Sequence, residues 1–84
     1  MQVIKRSGGV QEFEFEKLVR SIVFAGGMEE DAREVASEAE VWAEAEAEEG
    51  KIKSVDLRTK VLEILREKYP EVAGKYETYT KTAS

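Results

Sequence analysis

The chain has 84 residues, a formal net charge of −5, and neither cysteine nor histidine. This length fits one small domain and is too short for a large catalytic body. The missing residue types exclude disulfides, thiolate or imidazole metal sites and the usual general base at neutral pH.

The charge is unevenly distributed along the chain. Residues 28–50 contain ten acidic residues and one arginine, whereas residues 51–84 contain eight basic and five acidic residues. An acidic total disfavours direct binding of nucleic acid, because affinity for the phosphate backbone requires a basic surface. The opening residues lack the apolar run of a signal peptide, and no apolar stretch is long enough to span a membrane. We therefore expect a cytoplasmic chain that contacts no membrane.

The N-terminal segment has the pattern of a β-hairpin. Two runs of strand-forming residues, 2–6 and 10–13, flank a Ser-Gly-Gly turn. Regular alternation along the first strand would place Lys5 and Arg6 on opposite faces. These two cations form a candidate anion site, and the alternative is that they are solvated charges that protect a strand edge.

Four helices are predicted to follow the hairpin. Apolar residues recur every three or four positions in 15–25, and residues 29–48 form a longer helix with an acidic N-terminus. Ser54 is the expected N-cap of a third helix, and a marginal fourth helix follows Pro70. The expected buried face of the second helix comprises Ala32, Val35, Ala36, Ala39, Trp42 and Ala43, with Trp42 as the main core aromatic.

These elements predict an α+β, mostly α, fold in a single domain over 1–84. An N-terminal β-hairpin lid (1–13) would pack on a bundle of three to four helices (15–80), and 81–84 would form a frayed tail.

The sequence "KIKSVDL" at the start of the third helix is a second candidate anion site. If Ser54 caps this helix, its hydroxyl group and the first free backbone N–H groups point outward together, just after Lys51 and Lys53. The alternative is a capped helix with two lysines in a loop. Tyr76 and Tyr79 are equally compatible with the core and with stacking on a base.

The alternating carboxylates Glu12, Glu14 and Glu16 are typical of an outer strand face that runs into the first turn of a helix. Acid–base catalysis would also require a pocket and separated pKa values, which spacing does not indicate. We therefore expect no enzyme activity, no catalytic residues and no metal ligands.

The segment "VIKRSGGVQEFEFEKLVRSI" resembles the opening of the ATP-cone, the small nucleotide-sensing domain of ribonucleotide reductases and of the bacterial ribonucleotide-reductase repressor. The residues that match the family pattern V-x-K-R-D-G-x-x-E-x-x-x-x-x-K-I are Val3, Lys5, Arg6, Gly8 and Lys17. "GKIKSVDL" is similar to a second family feature, a short segment that opens a helix, with Ser54 as its hydroxyl residue. Ser7 and Gln11 replace the family aspartate and glutamate.

The resemblance implies that the chain binds ATP or dATP as an allosteric ligand, with or without Mg²⁺. Carried over to this sequence, it implies phosphate contacts from Lys5, Arg6, Lys17 and Ser54. It places Val3, Gln11 and Glu14 near the adenosine. Lys75 and Lys81 are candidates for a later residue that closes on the phosphates.

The leading hypothesis is therefore a non-catalytic regulatory module, as in ribonucleotide reductase regulation. Nucleotide binding would change its association with a partner protein domain or with another copy. The alternative is a cone-like protein-interaction scaffold that no longer binds nucleotide, and Ser7 and Gln11 are its main support.

Overall fold

A computed structural model of the chain describes the backbone of residues 1–83 and the side chains of residues 1–78. Within these residues, three short strands form one sheet beside four helices. They are β1 (Gln2–Ile4), β2 (Val10–Glu12), α1 (Phe15–Phe24), α2 (Glu29–Glu46), β3 (Lys51–Lys53), α3 (Ser54–Lys68) and α4 (Pro70–Ala83). The predicted α+β, mostly helical fold with an N-terminal hairpin is confirmed. The predicted tail (81–84) and the candidates Tyr79 and Lys81 lie outside the residues whose side chains are described.

The sheet contains a strand that the sequence did not predict. β1 lies in the centre, antiparallel to β2 and parallel to β3, so that Val3 has Gln11 on one side and Ile52 on the other. Ile52 is buried, whereas Lys51 and Lys53 on either side of it are exposed. Lys51 and Lys53, which the alternative interpretation of this segment placed in a loop, therefore belong to a strand.

The hairpin loop differs from a regular continuation of β1. The strand ends at Ile4, the Lys5 N–H donates to the Gly9 carbonyl at 2.7 Å, and the Gly8 N–H donates to the Lys5 carbonyl at 2.9 Å. Gly8 has φ +94°, so these two bonds close a three-residue loop with one left-handed residue. Because Lys5 and Arg6 follow the strand, strand alternation does not force them onto opposite faces.

Two helix boundaries correct the sequence prediction. α2 ends at Glu46 rather than at residue 48, because Glu48 and Lys51 exchange backbone hydrogen bonds of 2.9 and 3.0 Å in the turn that leads into β3. α3 has Lys53 at its N-cap position and no side-chain capping bond. The expectation that Ser54 caps α3 is therefore wrong, since the extended backbone of β3 continues to Lys53 and makes Ser54 the first helical residue.

Alanines dominate the buried face of α2. Ala32, Val35, Ala36, Ala39 and Ala43 are fully buried, as the spacing predicted. Trp42 is only partly buried against the core, so its expected role as the main core aromatic is wrong. The small side chains let the neighbouring helices approach α2 closely, which leaves no room for an indole ring at their centre.

Among the side chains of residues 1–78, the one aromatic residue that is buried is Tyr76 of α4, which is 4% exposed. The largest fully buried side chains are Ile22, Val35, Val61 and Leu65, contributed by α1, α2 and α3. None of the described helices has the length and apolar character needed to cross a membrane.

Candidate functional site

The hairpin loop and the first turns of α3 line one surface pocket of about 480 Å³, which we call the hairpin pocket. Its lining comprises Lys5, Arg6, Ser7, Ser54, Val55, Arg58 and Tyr76. The Lys-Arg pair and Ser54, which come from the two candidate anion sites of the sequence, thus lie in two walls of the same pocket. Lys51 and Lys53 of the second candidate site do not line it and belong to the lining of a different pocket.

The hairpin pocket has a strongly positive lining. Lys5, Arg6 and Arg58 contribute three cations, and none of its described lining residues carries a carboxylate. The first backbone N–H groups of α3 lie in the same wall, because Ser54 and Val55 are its first two residues. A concave surface with clustered cations and a helix N-terminus favours an anion.

The pocket also has an apolar side. Val55 is partly exposed and Tyr76 contributes part of a mostly buried ring. An anion with an attached ring or sugar would therefore meet apolar surface beside the cations, as ligand sites usually provide.

Four other residues that the family resemblance implied as nucleotide contacts do not line this pocket. Val3 and Gln11 are cross-strand partners, and Val3 is 8% exposed while Gln11 is partly buried. Glu14 occupies the N-cap position of α1, and Lys17 lies exposed in its first turn. The structure brings together Lys5, Arg6 and Ser54, and it leaves these four outside the pocket lining.

Two lining residues were missed by the sequence analysis. Val55 and Arg58 follow Ser54 by one and four positions, and residues four apart lie on the same face of a helix. This spacing is the signal that would have found Arg58. Its guanidinium also donates to the backbone carbonyl of Glu77 at 3.5 Å, which links α3 to α4.

Lys75, a candidate for closing on the phosphates, does not lie at the hairpin pocket. Its side chain passes the turn after α1, where a Cβ atom placed on Gly26 would be 3.6 Å from the Lys75 Cδ. It does not belong to the described lining of the hairpin pocket.

The carboxylate of Glu16 in α1 is paired with an arginine. Arg33 donates to both oxygens of Glu16 at 2.8 Å, and these hydrogen bonds lower the pKa of that carboxyl. A general acid needs the opposite shift. The described residues also contain no group of three or more acidic side chains placed to hold a metal ion.

The sequence was compared with known families and proteins. A family model described as the ATP cone domain matches residues 1–83. No curated protein matches the chain significantly. The match covers both walls of the hairpin pocket and all four described helices.

Proposed function

The chain belongs to the ATP-cone family of nucleotide-binding regulatory domains, and we propose that it binds ATP or dATP in the hairpin pocket and thereby controls a partner. The observation that carries this proposal is the meeting of Lys5 and Arg6 with the start of α3 and Arg58 around one pocket. A domain of this family regulates rather than catalyses.

The cations suit a polyphosphate chain. Lysine offers a compact charge with three donors, and arginine offers a planar fork that can hold two phosphate oxygens. The backbone N–H groups at the start of α3 add uncharged donors directed at the same place. Mg²⁺, where it accompanies the nucleotide, would be held through phosphate oxygens, since the described pocket lining supplies no carboxylate.

The family pattern supports a wider set of contacts. We propose from that pattern that Lys17 reaches the phosphates and that Val3, Gln11 and Glu14 border the adenosine. Val3 has little exposed surface, so the nucleotide would touch only an edge of its side chain. Gln11, directly opposite Val3 on β2, is the more accessible contact and both donates and accepts hydrogen bonds.

The sheet provides a physical route from the nucleotide to the rest of the domain. β1 pairs with β3, Ile4 lies beside Lys53, and Lys53 directly precedes Ser54. A nucleotide held between the hairpin loop and α3 would fix these elements relative to each other. Association with a partner domain or a second copy would then change, provided that the partner binds the two states with different affinity.

Calorimetric titration with ATP and dATP, each with and without Mg²⁺, tests the proposal directly. We expect Lys5→Ala and Lys17→Ala each to weaken binding by about 1–3 kcal/mol, the range for losing a charge-assisted contact. Arg58→Ala should fall in the same range, whereas Lys60→Ala, outside the pocket lining, should bind like the parent chain. If millimolar nucleotide releases no heat and shifts no amide resonance at Lys5, Lys17 or Ser54, the chain does not bind nucleotide and the scaffold alternative stands.

Sedimentation with and without saturating nucleotide tests the regulatory part. A nucleotide-dependent change in mass identifies a second copy as the responding partner. If calorimetry confirms binding but the mass is unchanged, self-association is excluded as the response. The partner that responds would then be a separate protein domain.

A further inference from the structure

The seam between α2 and α3 carries a second concave surface, which we call the Trp42 groove. Two adjoining cavities of about 510 and 340 Å³ share Trp42 and Lys60. Four apolar side chains are among its lining residues: Val41, Trp42, Ile52 and Ile64. Val41 is 67% exposed, so part of this apolar surface lies in contact with water.

The rim of the Trp42 groove is negatively charged. Five rim carboxylates form no ion pair within the described part of the chain: Glu46, Glu48, Asp56, Glu63 and Glu67. A sixth rim carboxylate, Glu38, is bound to Lys68 at 2.9 Å. Lys60 is thus the one lining cation without such a pair, and the groove retains an excess of negative charge that favours a cationic partner.

The indole ring already holds a cation. The Nζ atom of Lys60 lies 5.6 Å from the centroid of the Trp42 ring, within the range of a cation–π interaction. The ring is therefore placed to accept an ammonium or guanidinium group as a cation–π partner. A cation from another molecule would compete with Lys60 for this place.

We propose that the Trp42 groove is a docking site for a basic amphipathic helix of a partner protein. Apolar side chains of that helix would cover Val41, Trp42 and Ile64, and its lysines or arginines would meet the rim carboxylates and the indole face. A helix laid into a groove between two helices is a common mode of peptide recognition. Charge complementarity selects a basic occupant over an acidic or uncharged one.

The groove and the hairpin pocket use different faces of α3. Within α3, the pocket is lined by residues 54, 55 and 58, whereas the groove is lined by residues 56, 59, 60, 63, 64, 67 and 68. With about 100° of rotation per residue, the centres of these two sets lie on nearly opposite sides of the helix. A partner in the groove would leave the hairpin pocket open, so the docking site does not depend on nucleotide binding.

Trp42 is the single tryptophan of the chain, and its fluorescence therefore reports the groove directly. The probe is a synthetic peptide of leucine and lysine with about 18 residues, long enough to form a helix. The control peptide has glutamate in place of lysine. We expect the basic peptide to shift Trp42 emission with one-to-one saturation that weakens with salt, and the acidic peptide to leave the emission unchanged.

Two sets of variants localise the binding. The double change Glu63→Gln and Glu67→Gln should lower the affinity for the basic peptide by about threefold or more. Glu30→Gln with Glu71→Gln, exposed carboxylates outside the groove lining, removes the same charge and should have less effect. Lys60→Ala should tighten binding because it removes the internal competitor for the indole ring.

Three results would overturn the proposal. They are equal binding of both peptides, equal weakening by both double variants, and no saturable change in emission at several hundred micromolar basic peptide. Because these measurements need no nucleotide, their failure is separate from a failure to bind ATP.

Discussion

The left-handed glycine of the hairpin loop offers the sharpest test of how the pocket is built. Gly8 has φ +94°, and a Cβ atom placed there would meet nothing within 4 Å. Gly8→Ala would therefore cause no steric clash with the rest of the chain. Its cost is the left-handed backbone alone, about 1–2 kcal/mol for a residue with a Cβ atom.

The loop geometry connects this cost to the ligand. The two backbone hydrogen bonds of Lys5, to Gly9 and from Gly8, hold Lys5 and Arg6 at the pocket wall. If alanine opens the loop, those side chains must be reordered when ATP binds, and the affinity falls. We expect a loss of ATP affinity of up to about 5–30-fold, which corresponds to 1–2 kcal/mol.

Gly50 provides a matched control. It has φ +75°, has no atom within 4 Å of a Cβ position, and does not line the hairpin pocket. Urea unfolding followed by Trp42 fluorescence should show both alanine variants destabilised by about 1–2 kcal/mol. Calorimetry with ATP should show weaker binding for Gly8→Ala alone. A Gly8→Ala variant as stable as the parent chain, or equal losses of affinity in both variants, would refute the reasoning.

Three further expectations concern the folded domain. Gly74→Ala, inside α4 with free space around a Cβ position, should raise the free energy of unfolding in urea by about 0.5–1 kcal/mol. Leu65→Ala, at a fully buried position, should lower it by about 2–5 kcal/mol, a large fraction of the stability of a small domain. Arg33 lowers the pKa of Glu16 in the folded chain, so this pair stabilises the fold above the ordinary pKa of 4.5, and the effect disappears as the pH falls through the lowered value. Thermal unfolding should therefore separate Glu16→Gln from the parent chain near neutral pH and bring them together in strong acid, and a difference independent of pH would contradict this.

The helices could be predicted from the sequence because each is long enough for its apolar residues to recur every three or four positions. The fully buried alanines of α2 follow the expected spacing, and the buried residues Leu57, Val61, Ile64 and Leu65 of α3 recur at the three- and four-residue intervals of one helix face. The hairpin could also be predicted, since strand-forming residues flank a glycine turn. These signals are local, and they depend on one segment at a time.

The features that the sequence analysis missed depend on distant neighbours. β3 has only three residues, so its alternation of exposed and buried side chains is too short to be recognised in the sequence, and the strand exists through pairing with β1. Trp42 lies at the edge of the buried face of α2. Its exposure depends on how closely α1 and α3 pack against the alanines of α2. Serine is a residue type that often caps helices, but the strand before Ser54 extends to Lys53. The N-cap position of α3 is therefore Lys53, one residue earlier than expected.

The candidate site was predicted as two separate anion signals. That they share a pocket follows from the parallel pairing of β1 with β3, which the local pattern did not reveal. The family resemblance joined the two signals, and the geometry added Arg58 to them. The contacts proposed for Lys17, Val3, Gln11 and Glu14 stay predictions for the nucleotide titrations.

The parallel pairing of β1 with β3 also fixes when the pocket forms during folding. Its register joins Gln2 to Lys51, so the ends of more than half of the chain must meet before this pair exists. Closing so long a loop has an entropic cost, which is offset only when the native contacts form. Non-local pairings of this kind therefore slow folding. The helices and the hairpin can form early from local contacts, whereas the two walls of the pocket come together only when β3 joins β1. A nascent chain still short of residue 54 has the Lys-Arg loop but lacks the opposite wall, so the hairpin pocket cannot form until α3 has been synthesised.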